Sequence, residues 1–215
     1  MTQPVGMLGG TFDPVHNGHL HLATTLSDQL RLAEILFVPV DNPPHRPAPL
    51  ASSKQRLEML KLAIENHPHL KIDDCELQRA GVSYTIDTLK HIRKIIGKTS
   101  LCLIMGIDNF KTLNSWHQWQ SLLDYAHIVI VNRPGNDDEI DEIEVKRFMD
   151  SFITKSVMNL HGQPAGCILR LNITMLDISS TQIRKNYQSG LETESLLPDK
   201  VLDFIHTHHL YNKQI

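Results

Sequence analysis

Short apolar runs recur along this chain: Val5 to Leu8, Ile35 to Val40, Leu70 to Ile72, Leu101 to Met105, Ile128 to Val131 and Ile168 to Leu171. Each is rich in Val, Ile or Leu and shorter than an ordinary helix, so each predicts a buried strand. Between them, apolar residues return at helical spacing with polar residues opposite, over Gly18 to Leu30, Ser53 to Asn66, Tyr84 to Ile96 and Trp119 to Tyr125. These stretches predict amphipathic helices. Apolar strands alternating with helices form a parallel sheet covered on both faces, so the expected fold is α/β and doubly wound.

Two segments break the rhythm. Asp41 to Ala51 carries Pro43, Pro44, Pro47 and Pro49 and can be neither a helix interior nor a central strand, which predicts a stiff, ordered loop. Gly135 to Ala165 opens with the acidic cluster Asn136 to Glu144 and holds a weak helix pattern over Val145 to Ile153. It reads as a peripheral excursion at about 135–165, with a solvated acidic face, on a single domain spanning 1–215. Neither an internal repeat nor a low-complexity tract interrupts that domain.

Composition narrows the function classes. A chain of 215 residues buries roughly 70% of its unfolded surface, enough for a core without covalent staples. With 21 Lys plus Arg against 24 Asp plus Glu the formal charge is -3, and no basic run offers the footprint of a nucleic-acid polymer binder. The start of the chain lacks a secretory pattern and no stretch reaches membrane-span length, so a cytoplasmic location away from membranes is expected. Cys75, Cys102 and Cys167 are odd in number, far apart and in apolar or strand-like settings, which predicts reduced thiols without a catalytic role.

The main candidate chemistry lies in Gly9-Gly10-Thr11-Phe12-Asp13-Pro14-Val15-His16-Asn17-Gly18-His19, between the first strand and the first helix. In an open parallel sheet that turn borders the ligand crevice. Adjacent glycines admit a phosphate close to the backbone, and the helix start offers free amides and the positive end of its dipole. Neither the Gly-Lys-Ser/Thr loop of phosphate-transferring enzymes nor Gly-x-Gly-x-x-Gly is present, so kinase and dehydrogenase readings lose support. His16 and His19, three residues apart, can reach one bound group as phosphate donors. A metal site with His21, or plain surface histidines, are the alternatives; zinc would want three or four ligands, and no suitably spaced cluster supplies them. Near the other end, Ile178-Ser179-Ser180-Thr181-Gln182-Ile183-Arg184 begins a helix that Ser179 or Ser180 can cap, with hydroxyls, amides and Arg184 facing one anion. Taken alone it is an ordinary capped helix.

Together the two elements resemble the nucleotidylyltransferase superfamily, whose fold is Rossmann-like. Within it the chain is similar, over nearly its whole length, to the bacterial nicotinate-nucleotide adenylyltransferase family. Asn42-Pro43-Pro44-His45-Arg46, Ser83-Tyr84-Thr85-Ile86-Asp87-Thr88-Leu89, Met105-Gly106-Ile107-Asp108 and Trp116 follow in that family's order. The resemblance implies that Gly9, Gly10, Thr11 and Phe12 line the cleft and that His16 and His19 hold ATP phosphates. It places Gly106 and Asp108 along the nucleotide path and Ser180 and Arg184 on the triphosphate, with His16, His19 and Arg184 as the catalytic set. It assigns Arg46 and Arg133 to the acceptor phosphate, and Tyr84, Thr85, Asp108 and Trp116 to the acceptor. The acidic excursion after Pro134-Gly135 departs from the family pattern. From the residues alone Trp116 could be a core aromatic, Asp108 a helix cap, and Arg46 a solvated charge.

The implied reaction joins ATP to nicotinate mononucleotide, giving nicotinate adenine dinucleotide and pyrophosphate, with Mg2+ arriving on ATP and no dedicated metal site on the protein. No oligomeric state is implied. Rival readings are transfer of an adenylyl or cytidylyl group to another phosphorylated acceptor, and a non-catalytic nucleotide sensor. A class I aminoacyl-tRNA synthetase has a comparable His-x-Gly-His element, but length and charge leave no room for tRNA binding.

Overall fold

The computed structural model describes residues 2–41, 48–79, 81–132 and 139–212. Strands β1 (Val5–Gly10), β2 (Glu34–Pro39), β3 (Leu70–Ile72), β4 (Leu101–Gly106), β5 (His127–Asn132), β6 (Ile153–Thr154) and β7 (Ile168–Asn172) form one sheet in the order β3-β2-β1-β4-β5-β7-β6, with every neighbouring pair parallel. Helices α1 (Asn17–Leu30), α2 (Ser53–Ile64), α3 (Cys75–Gln78), α4 (Thr85–Ile96) and α5 (Ile107–Lys111) precede or follow the first four strands. Then come α6 (Leu122–Tyr125), α7 (Ile143–Phe152), α8 (Met158–Gly162), α9 (Ser180–Gln188) and α10 (Asp199–Thr207).

Successive strand residues point to opposite faces, and the core divides accordingly. Cys102, Ile104, Val129 and Val131 join one cluster with buried residues of α1, α2, α8, α9 and α10. Their neighbours Leu101, Leu103, Met105, Ile128 and Ile130 join a second cluster with α4, α5, α6 and α7. Each fully buried aliphatic side chain contributes roughly 1.5–3 kcal/mol, and a one-residue slip would exchange the two faces, so register is strongly specified.

Local chemistry sets the helix ends. Ser52 caps α2 by accepting from the Gln55 N–H while Gln55 Oε1 accepts from Ser52 N–H, a reciprocal box that starts the helix; the loop expected over 41–51 lies partly outside the described residues. Two expectations are corrected. Ile153 leaves the helix, because β-branched Ile153 and Thr154 find the open edge of β7 at Ile168 and Leu169 and pair with it as β6. The stretch from Trp119 is a 3-10 turn over Trp119–Ser121 followed by α6, with Gln118 left-handed at φ 51 just before it.

After β3 at one side the chain crosses back to place β4 beside β1, which makes the β1–β4 boundary the topological switch point where open sheets bind ligands. Pairing between these strands stops at Leu8↔Ile104, although β1 continues to Gly10 and β4 to Gly106. The two carboxyl ends are therefore unpaired beyond that point, which is where open sheets form a ligand crevice.

Candidate active site

Gly9 and Gly106 flank this crevice, and a Cβ added to either would meet nothing within 4 Å. Gly10 differs, since its Cβ would lie 2.9 Å from the Phe12 ring. Phe12 adopts φ 50 and turns its ring into the core, where it is only 2% exposed. Its part in the cleft is therefore backbone, and its ring supports His19 edge-on at 5.1 Å.

His16 is buried at the N-cap position of α1, and its ring stacks on that of His19 with centroids 3.7 Å apart. The His16 N–H donates to His19 Nδ1 at 3.2 Å. In neutral imidazole the proton must then sit on Nε2, so His19 is a donor on the side away from the backbone. Gly18 completes the motif for a steric reason: a Cβ there would lie 3.0 Å from His16 Nδ1 and 3.1 Å from His16 Cε1.

The start of α9 docks on the same loop from the far end of the chain. Ser179 is its cap, accepting from the Gln182 N–H, which leaves Ser180 to donate to the Pro14 carbonyl at 2.9 Å. Arg184 Nη1 donates to the Asp13 carbonyl at 2.6 Å, and its side chain stays about a quarter exposed. His16, His19, Ser180 and Arg184 thus meet around one short loop.

Three side chains that hold this loop had no role in the sequence reading. Asp13 is buried, and its carboxylate accepts from Leu50 N–H, Ala51 N–H and the Tyr211 hydroxyl at 2.9, 3.1 and 2.7 Å. Burial first, and then that carboxylate, push the Tyr211 hydroxyl far up, so it remains a donor. Arg56 is 0% exposed and donates through Nη1 to the carbonyls of Thr11 and Val40, at 2.7 and 2.8 Å. Burial pulls its guanidinium down, while Asp13 and Asp41 oppose the shift. A signal for Arg56 was present: with Met59, Leu60 and Ala63 it lies on the apolar stripe of α2. Nothing in the sequence marked Tyr211.

At the carboxyl end of β4 Gly106 occupies the N-cap position of α5, so Asp108 is an exposed first-turn residue and not the cap. Tyr84 precedes α4 and stays 36% exposed, with its ring against His117 at 4.5 Å; Thr85 opens the helix. Trp116 is half-buried against the core face shared by α4 to α7. Neither α4 nor α5 has a side-chain cap. Arg46 and Arg133 lie outside the described residues.

A family described as cytidylyltransferase-like matches residues 7–186. A protein of Methylococcus capsulatus, described as a probable nicotinate-nucleotide adenylyltransferase, is 43% identical over 210 residues, covering 97% of this chain and all of its own length. One of the same description from Pectobacterium atrosepticum is 41% identical over 212 residues, covering 98% and 100%. The chain belongs to the nicotinate-nucleotide adenylyltransferase family. The fold of this family member also matches the solved nicotinic acid mononucleotide adenylyltransferase of Plasmodium falciparum in complex with NaAD, with TM-score 0.72 and 18% identity over 97% of each chain. Among the described residues of this adenylyltransferase no helix is long and apolar enough to cross a membrane.

Proposed function

We propose that the crevice holds ATP against the β1–α1 loop and the start of α9, and nicotinate mononucleotide against the starts of α4 and α5. The reaction is adenylyl transfer, which gives nicotinate adenine dinucleotide and pyrophosphate. The observation that carries the site assignment is the convergence of the stacked His16–His19 pair with Ser180 and Arg184 on the loop at the sheet's switch point.

The acceptor phosphate is already anionic near neutral pH and pyrophosphate is a good leaving group, so catalysis consists of alignment and charge stabilisation. His19 donates from Nε2 to a phosphate oxygen, and the loop amides and Arg184 share the charge that develops on the leaving pyrophosphate. Asp13 and Arg56 act as positioning residues that hold the loop carbonyls and amides in place. Arg46 and Arg133 remain proposed contacts of the acceptor phosphate.

Mg2+ fits as a passenger of ATP. At the carboxyl end of β4 the exposed carboxylate of Asp108 is available, which suits a cation held mainly by phosphates and waters. When bound, it neutralises polyphosphate charge.

Trp116 stacks on the nicotinate ring, and the uncapped first turns of α4 and α5 receive its carboxylate. The backbone amides of these turns are donors, so a carboxamide turned towards them leaves groups mispaired at about 1–3 kcal/mol for each. The test is kcat/KM with ATP and Mg2+ across a panel of acceptor mononucleotides. Nicotinate mononucleotide is expected to be preferred over its amide on the order of a hundred-fold. Equal values would remove the amide-received carboxylate, and activity confined to another phosphorylated acceptor would overturn the assignment.

A further inference from the structure

A second cluster of reactive side chains lies apart from the histidine loop. Asp73 follows β3, Cys75 opens α3, and His91 projects from α4. One potential ligand atom from each of the three lies within 4.8 Å of the others, and all three residues are half-buried. His91 Nε2 is 3.8 Å from Asp73 Oδ2, while Asp73 Oδ1 accepts from the Cys75 N–H at 3.0 Å. The walls are held together independently: Asp73 N–H donates to the Phe37 carbonyl at 3.0 Å, and buried Glu76 on α3 accepts from Thr88 Oγ1 on α4 at 2.6 Å.

We infer that Asp73, Cys75 and His91 form a binding site for a zinc-class divalent cation, with one thiolate, one imidazole and one carboxylate as ligands and a fourth position open to water. The mixed sulfur, nitrogen and oxygen set selects zinc or cobalt and disfavours magnesium, so this site is separate from the metal that travels with ATP. Bonds of about 2.0–2.3 Å around a tetrahedral ion place ligands roughly 3.3–3.8 Å apart, so a cluster whose atoms lie within 4.8 Å of one another closes by at most about 1–1.5 Å. His91, with its side chain 42% exposed, is the ligand with the most room to move. Coordination breaks the Cys75 S–H bond as the sulfur–metal bond forms, and the proton goes to solvent.

An occupied site would tie α3 to α4. His91 stands about 9 Å along the helix axis from Thr85, so the cation would brace the helix whose start meets the acceptor. The test is titration of the reduced full-length protein with Co2+, followed by its thiolate-to-cobalt charge-transfer absorbance, and then displacement by Zn2+. One saturable site per chain with that band is expected. Cys75→Ser should abolish the band, and His91→Gln should weaken binding at least about tenfold, with circular dichroism confirming that both variants fold. Binding without the band would place the metal on other histidines and overturn the inference. So would a band that survives Cys75→Ser, or an affinity unchanged in His91→Gln.

Discussion

Gly18 and His19 separate helix propensity from chemistry at single positions. In an ordinary helix Gly→Ala gains up to about 1 kcal/mol, but at Gly18 the new methyl would meet the His16 ring at 3.0–3.1 Å. Moving that ring disturbs its stack on His19. Gly18→Ala is therefore expected to change the melting temperature little while reducing kcat/KM clearly. His19→Ala should keep the fold and lower turnover by about a hundred- to a thousand-fold, the usual loss of one donor to a developing charge. Steady-state kinetics beside thermal melts check both; a folded His19→Ala enzyme with more than half its activity would exclude the phosphate role.

The strand β5 depends on a buried imidazole. His127 Nδ1 accepts from the Cys167 N–H at 3.0 Å, and its Nε2 lies 2.9 Å from the Gln163 carbonyl. One acceptor and one donor define a neutral ring, and burial lowers its proton affinity below the ordinary value. The unfolded chain thus binds this proton first. The stability contributed by the neutral ring is complete above about pH 6.5 and is lost as pH falls from there towards the depressed folded value. Gln at position 127 can offer a donor and an acceptor but cannot charge. The stability advantage of wild type over His127→Gln should therefore narrow between neutral and mildly acidic pH. Denaturant unfolding of both at several pH values measures it, and a constant difference would rule out His127 as the titrating group.

At the scale of the whole molecule, the two ends of the chain close on one loop. The Tyr211 hydroxyl reaches Asp13 across 198 positions of sequence, and α9 adds Ser180 and Arg184 to the same place. Removing the hydroxyl leaves a buried carboxylate short of one donor, at a cost of about 1–3 kcal/mol. For a domain of this size each kcal/mol corresponds to roughly 2–4 °C. Tyr211→Phe should therefore melt several degrees lower and bind ATP more weakly, because the loop that Asp13 anchors also carries His16 and His19. Calorimetry with ATP titration tests this, and an unchanged melting temperature would show that Asp13 needs only its backbone donors.

Strand positions, helix faces and the two hallmark motifs were legible in the sequence because each depends on local periodicity or on a steric rule within a few residues. The six apolar runs became β1 to β5 and β7. The glycine turn with His16 and His19 lies at a carboxyl end of the sheet because that is where a β–α connection falls. β6 was not legible, since Ile153 and Thr154 choose strand over helix only when the edge of β7 is beside them. The choice of Ser179 over Ser180 as cap, and of Gly106 over Asp108 at the start of α5, awaited backbone geometry. Asp13, Arg56 and Tyr211 are coupled through hydrogen bonds between distant segments. No local pattern encodes such pairing: it exists only once burial has removed water and left these groups one another, or the backbone, as partners.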